Sequence, residues 1–219
     1  MRRKEDVLAL IIQQGLLPLY YCDDAGVSVE VLKTLYDAGI RIVEYTNRGE
    51  QALRNFKKMR KVCDEKLKEM HLAAGTIKNK KAAKQFIDAG ADFIISPGMV
   101  KEVADVADKN NLLWIPGCMS ATEIIQAENA GARLVKIFPG NILGPSFVSS
   151  IKDIFPGLLF MPTGGVEMDS GNIIAWFKAG VCAVGMGSKL LSKELLEKKD
   201  YAVIRELVLK ATFMVNSAR

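Results

Sequence analysis

Histidine occurs once in these 219 residues, as His71, and the four cysteines (Cys22, Cys63, Cys118 and Cys182) are widely dispersed. There is no CxxC pair and no cluster of His and Cys, so the ligand groupings of a structural zinc site are missing. No apolar run approaches the roughly 18 residues of a membrane span. The run Val7 to Ile12, which follows Met1-Arg2-Arg3-Lys4-Glu5-Asp6, is too short for the core of a signal peptide. No Pro-, Ser- or Gly-rich tract divides the chain, and one domain over 1–219 is expected. Charge of one sign is not concentrated either: 30 basic residues stand against 25 acidic ones, a net +5 spread along the sequence. A nucleic-acid binder gathers its positive charge into a patch, so neither nucleic acid nor membrane is expected as a partner. What is present is 49% hydrophobic residues and 25% charged, the composition of a globular protein with a substantial core. The reading is a reduced, soluble, cytoplasmic protein.

A repeat is written in the punctuation. Gly39, Gly90, Gly131 and Gly180 each follow an alanine at the end of a helix-like segment, and each precedes a short apolar run: RIVEYT, DFIISP, RLVKIFP and CAVGMG. Glycine stops a helix there because it accepts a left-handed backbone without a Cβ clash. The runs are too short for helices and too continuous for one-sided strands, which fits strands of a parallel sheet covered on both faces. Further runs lie between them, giving eight strands near 16–22, 40–46, 70–75, 92–96, 112–116, 133–138, 158–163 and 181–186. Segment 27–38 has helical apolar spacing, 50–69 reads as a solvent-facing amphipathic helix, and Ser120 to Glu123 is a capping-box signature. Eight strand–helix units in this length are the arithmetic of a (β/α)8 TIM barrel, an α/β fold, with an open doubly wound sheet as the alternative.

In such a barrel the chemistry sits at the C-terminal strand ends. Lys136 stands inside RLVKIFP, where a buried ammonium needs a reason. Burial favours the neutral amine, the form that attacks a carbonyl to make a Schiff base. A structural ion pair with Glu44, or an outward-snorkelling lysine, accounts equally well for the spacing. Glu44 inside IVEYT is the natural partner, as a proton-transfer group or simply as counter-ion of Lys136 or Arg48. Arg48 suits a carboxylate or phosphate, or is a surface arginine, and Thr76 offers a hydroxyl. Thr163-Gly164-Gly165 and Gly185-Met186-Gly187-Ser188, at the ends of the last two strands, read as a phosphate cradle or as ordinary turns. His71, at the opposite end of its strand, reads as structural, and the Met and Phe residues as core.

Taken in order, IVEYTNR, AAGT, ISPG, IPG, VKIFP, PTGGV and GMGS closely resemble the 2-keto-3-deoxy-6-phosphogluconate (KDPG) and 4-hydroxy-2-oxoglutarate (KHG) aldolase family, from about residue 7 to 213. The resemblance implies a class I, metal-free aldolase on a (β/α)8 barrel, a homotrimer with no cofactor. It would split the phosphorylated 2-keto-3-deoxy sugar acid into pyruvate and glyceraldehyde 3-phosphate. By motif, Lys136 matches the Schiff-base lysine and Glu44 the general acid/base. Arg48 and Thr76 match the carboxylate-holding positions, and Pro116 lines that pocket. Thr163, Gly164, Gly165, Gly187 and Ser188 match the phosphate-end contacts. Three departures stand out: AAGT where GAGT is common, Asn47 where an apolar residue is usual, and GNILGPSF after Lys136. They leave the 6-phosphogalactonate or 4-hydroxy-2-oxoglutarate activity open as alternatives, together with a non-catalytic phospho-sugar-acid binding barrel, an isomerase or synthase, and a divalent-metal aldolase that the missing His cluster disfavours.

Overall fold

The expected apolar runs appear in the computed structural model, which describes residues 4–219, as short strands. They are β1 (Leu16–Tyr20), β2 (Ile42–Thr46), β3 (His71–Gly75), β4 (Phe93–Ile95), β5 (Leu113–Ile115), β6 (Gly117–Cys118), β7 (Leu134–Ile137), β8 (Leu159–Pro162) and β9 (Val184–Met186). All pairings are parallel. A six-stranded segment runs β5-β4-β3-β2-β1-β9 and a three-stranded one β6-β7-β8. There are nine strands rather than eight because Pro116 interrupts one of them. Proline has no N–H for the ladder, so β5 ends before it and β6 begins after it. Its carbonyl still accepts from the Lys136 N–H at 2.8 Å. On the other side, a single parallel bridge between Thr163 and Gly185 relates β8 to β9. The result is an α/β fold built on a curled parallel sheet.

Ten helices accompany these strands among the described residues: α1 (Lys4–Gln14), α2 (Ala25–Asp37), α3 (Ala52–Lys66), α4 (Lys80–Asp88), α5 (Lys101–Lys109), α6 (Ala121–Asn129), α7 (Gly140–Ile151), α8 (Ser170–Ala179), α9 (Lys193–Lys198) and α10 (Tyr201–Ala218). The four repeat glycines do end helices in the left-handed region, with φ of +92°, +89°, +85° and +102° at Gly39, Gly90, Gly131 and Gly180. The Ser120–Glu123 capping box is formed. No described helix is long and apolar enough to cross a membrane, and no group of three or more His, Cys, Asp or Glu among the described residues could hold a metal. None of the four cysteines forms a disulfide.

Strand alternation sorts the core into two clusters. Outward-facing residues such as Val43, Tyr45, Ile94, Val135 and Phe160 pack with the apolar stripes of the helices. Leu17, Ile42, Ala73, Phe93, Ile95, Leu113, Ile115, Leu134, Met161 and Ala183 form a second cluster on the concave face, together with Val7, Leu8 and Ile11 of α1. The helix at 4–14 is not among the sequence expectations, in which the run Val7 to Ile12 is only too short for a signal-peptide core. In the structure α1 packs Val7, Leu8 and Ile11 onto the concave cluster, while Glu44, Lys136 and Thr163 lie toward the C-terminal ends of their strands. Ile11 is 1% exposed. Ile11→Ala is expected to lower the unfolding free energy by about 2–5 kcal/mol, measured by urea denaturation, while leaving the strand-end residues in place.

Candidate active site

The two-residue period of the strands carries Glu44 and Lys136 onto the concave face. On β2, Ile42 belongs to the concave cluster, so Glu44 and Thr46 follow on the same side. On β7, Leu134 does the same for Lys136. Both charged residues are buried, Glu44 at 0% and Lys136 at 4% exposure. Lys136 Nζ lies 3.6 Å from Glu44 Oε1, beyond hydrogen-bond range, and neither carboxyl oxygen of Glu44 has a hydrogen-bond partner. A buried carboxyl group left this way is costly, by about 1–3 kcal/mol or more. It is in position to take a proton, a water or a ligand hydroxyl.

Gly75 makes room for it. A β-carbon at position 75 would lie 2.0 Å from Glu44 Oε1 and 2.5 Å from its Cγ. The Glu44 side chain therefore lies across the bare backbone of β3, and any other residue there would expel it. This role of Gly75 does not follow from the sequence motifs. Its one sequence signal was a glycine at the very end of a strand.

Arg48 and Thr76 follow β2 and β3, which are neighbours in the sheet. Arg48 is exposed and makes no ion pair among the described residues. Thr76 has φ of +58°, a region where a β-branched residue is strained by about 1–3 kcal/mol. Hydrogen bonds on either side hold it there: Asn47 N–H donates to Gly75 O at 2.8 Å, and Ile77 N–H to Ile95 O at 3.1 Å. Pro116 is buried beside β7 through its carbonyl bond to Lys136.

The expected distal residues also stand at strand ends. Thr163 is buried with its hydroxyl unpartnered, facing Gly185, where a β-carbon would be 2.4 Å from Oγ1. Gly164 and Gly165 adopt φ of +79° and +80°, so the chain turns sharply after Thr163. In the loop after β9, Gly187 O accepts from both Leu190 and Leu191 N–H at 2.8 Å, which leaves Ser188 exposed at the turn. An ion pair of 3.0 Å between Lys189 and Glu167 ties the two loops together.

One support was not anticipated. Asn55 is buried and donates to Cys22 O and Asp23 O at 3.0 and 2.9 Å, while the Tyr45 hydroxyl donates to Cys22 O at 2.8 Å. Burial pushes the Tyr45 hydroxyl above its ordinary range, so it stays a donor. These bonds fix the loop after β1 beside the Arg48 turn. The signal was present in the sequence: Asn55 falls on the buried stripe of α3, with Ala52, Phe56, Met59 and Cys63.

A buried pair held by position rather than by hydrogen bonds contributes little to stability. Replacing Lys136 and Glu44 together by Met is expected to raise the unfolding free energy by about 1–4 kcal/mol, read by urea denaturation, whereas Lys136→Met alone, which strands the carboxylate, is expected to lower it.

Comparison with known proteins bears on this arrangement. The family model described as KDPG and KHG aldolase matches residues 8–207. A 2-dehydro-3-deoxy-phosphogluconate aldolase of Pseudoalteromonas atlantica is 31% identical over 205 residues, 92% of each chain. A 2-dehydro-3-deoxy-6-phosphogalactonate aldolase of Escherichia coli K12 is 32% identical over 120 residues, 54% of this chain and 58% of its own. The crystal structure of the KDPG aldolase of Legionella pneumophila, in which pyruvate was captured as a covalent carbinolamine, superposes with a TM-score of 0.84 over 92% of this chain and 95% of its own. At 24% identity, it shares the fold. With a match across nearly its whole length, the chain belongs to the KDPG and KHG aldolase family.

Proposed function

We propose that this protein is a class I aldolase that cleaves 2-keto-3-deoxy-6-phosphogluconate into pyruvate and glyceraldehyde 3-phosphate. The observation that carries the reading is the buried Lys136 amine 3.6 Å from a carboxyl group with no hydrogen-bond partner. Lys136 Nζ adds to the C2 ketone to give a carbinolamine, and loss of water gives the imine. The C4 hydroxyl then yields its proton to Glu44, the C3–C4 bond breaks, and its electron pair passes into the imine to form an enamine. Glyceraldehyde 3-phosphate leaves, C3 takes up a proton, and hydrolysis returns pyruvate and the free amine. One carboxyl group can relay each of these protons, and general acid–base help of this kind is worth about 10²–10⁴-fold. The protonated imine is itself the electron sink, so the scheme calls on neither a metal nor an organic cofactor.

In this reading Arg48 and Thr76 hold the substrate carboxylate and Pro116 walls that end. The strain at Thr76 and the unpaired guanidinium of Arg48 support it, because both place donors at the same pair of strand ends. Thr163, Gly164, Gly165, Gly187 and Ser188 take the phosphate. We place the whole chain in one domain, a closed (β/α)8 barrel. The Thr163–Gly185 bridge, the Pro116–Lys136 hydrogen bond and the concave cluster drawn from all parts of the sheet support closure. A homotrimer and a cytoplasmic location complete the proposal. The exposed Met119 before α6, Ile125 on α6 and Ile142 on α7 support association with further copies. The Escherichia coli relative favours a second reading at the same site, cleavage of the 6-phosphogalactonate epimer.

Borohydride reduction in the presence of pyruvate is expected to place a pyruvate-derived adduct on Lys136, seen by intact mass and peptide mapping. Lys136→Arg should abolish both adduct and activity. Glu44→Gln should retain the fold and lose about 10²–10⁴-fold in kcat. A folded wild-type protein that takes no adduct would remove the Schiff-base assignment.

A further inference from the structure

The segment after the Lys136 strand, GNILGPSF, has so far no task. Its first turn is set apart from the rest of α7 by Gly144, at φ +69° and ψ 170°, followed by Pro145. That turn is folded onto the loop after β8. Gly140 N–H donates to Thr163 O at 2.9 Å. A β-carbon on Gly140 would lie 2.4 Å from Gly164 O, and one on Gly165 only 2.5 Å from Asn141 Cα. Backbone thus meets backbone, and Asn141 is fixed at the rim of the two glycines.

The space in front of Gly164 is bordered by particular atoms. A β-carbon built there would stand 3.6 Å from Asn141 Oδ1 and 3.9 Å from Phe138 Cε2. The Phe138 ring is in turn centred 5.3 Å from Lys136 Nζ. A continuous wall therefore runs from the amine, past Phe138, to Gly164 and Asn141. Asn141 is exposed, and its carboxamide has no hydrogen-bond partner among the described residues. A carboxamide is neutral and offers two N–H donors at the reach of its oxygen. Facing an anion it turns those donors inward; an aspartate in the same place could offer only negative charge.

We infer that Asn141 reads the distal end of the acceptor aldehyde, donating an amide N–H to its phosphate group, and is a specificity-determining residue at the rim of the glycine loops. This rests on the aldolase reading above and adds a residue outside the motifs that carry it. The Gly140-Asn141 turn then helps decide which aldehyde is accepted, while Lys136 and Glu44 process the pyruvate half alike for all of them.

The test is the aldol condensation of pyruvate with two acceptors, glyceraldehyde 3-phosphate and unphosphorylated glyceraldehyde, using wild type, Asn141→Asp and Asn141→Ala. Borohydride trapping of pyruvate on Lys136 is followed in each protein. Asn141→Asp is expected to lower kcat/KM for the phosphorylated acceptor by about tenfold or more, the scale of one charge-assisted hydrogen bond. Asn141→Ala should lower it less. Glyceraldehyde turnover and pyruvate trapping should stay within about twofold, which also shows that the variants are folded. Equal losses with both acceptors, or no loss with either, would overturn the inference. If wild type traps pyruvate normally, such a result removes the role of Asn141 alone; if wild type traps none, the aldolase reading fails and the role of Asn141 with it.

Discussion

An ammonium and a carboxylate buried together cost more in lost hydration than their attraction returns unless hydrogen bonds complete their shells. At Lys136 and Glu44 those bonds are not made: the two side chains stand 3.6 Å apart and the carboxyl oxygens have no partner. The rest of the molecule can be understood as what holds this unfavourable arrangement in place. Its cost is tolerable because the surrounding strands present a large apolar area to both faces of the sheet, at about 25 cal/mol per Å² removed from water. The position of the pair is enforced by geometry. Strand alternation aims both side chains at the concave face, and the bare backbone at Gly75 lets Glu44 lie flat across β3. Stability is given up locally where the proposed chemistry calls for two unsatisfied groups.

The concave face is divided along the strand direction. Toward the N-terminal ends it is apolar and closed by Val7, Leu8 and Ile11 of α1. Two residues further along β2, β7 and β8 it becomes Glu44, Lys136 and Thr163, with Thr46 two residues beyond Glu44. An entering molecule therefore meets polar groups first and a sealed apolar floor behind them. The polar residues are carried by strands, whose backbones are fixed by their neighbours. The residues assigned to the substrate's two anionic ends are mostly on the turns just beyond. Those turns are themselves restrained, by the left-handed Thr76, by consecutive left-handed glycines at 164 and 165, and by the Asn55–Tyr45 clamp on the loop after β1. Rigid turns place donors without an ordering cost at the moment of binding.

Much of this was legible because it is written in local rules. Glycine stops mark four helix ends, short apolar runs mark the strands, and a lysine and a glutamate inside such runs mark a buried charged pair, either structural or chemical. What was not legible depends on contacts between distant segments. α1 is a helix whose apolar stripe has meaning only against residues from the sheet, and its short run by itself says only that it is no signal-peptide core. Pro116 splits a strand that its apolar neighbours made look continuous. Gly75 matters because of a side chain 31 positions earlier in the sequence, at Glu44. The amphipathic pattern of 50–69 is borne out by α3, but the pattern alone does not say that Asn55, a polar residue on its buried stripe, finds its partners in the loop after β1.

The same distinction separates the two ends of the proposed substrate site. The imine end is built into strands β2, β3 and β7, where a change of residue disturbs the sheet and the concave packing together. The distal end is built from turns after β7, β8 and β9 that touch one another backbone to backbone but leave their outer side chains, such as Asn141 and Ser188, exposed. An exposed side chain on a restrained turn can be exchanged with little effect on the fold, because neither burial nor a ladder hydrogen bond depends on it. Chemistry held by the sheet and recognition held by the turns can therefore change independently. A common carbon–carbon cleavage can then serve acceptors that differ only beyond the breaking bond, and the family motifs, which lie mostly on the strands and their glycine ends, report the reaction more firmly than the aldehyde.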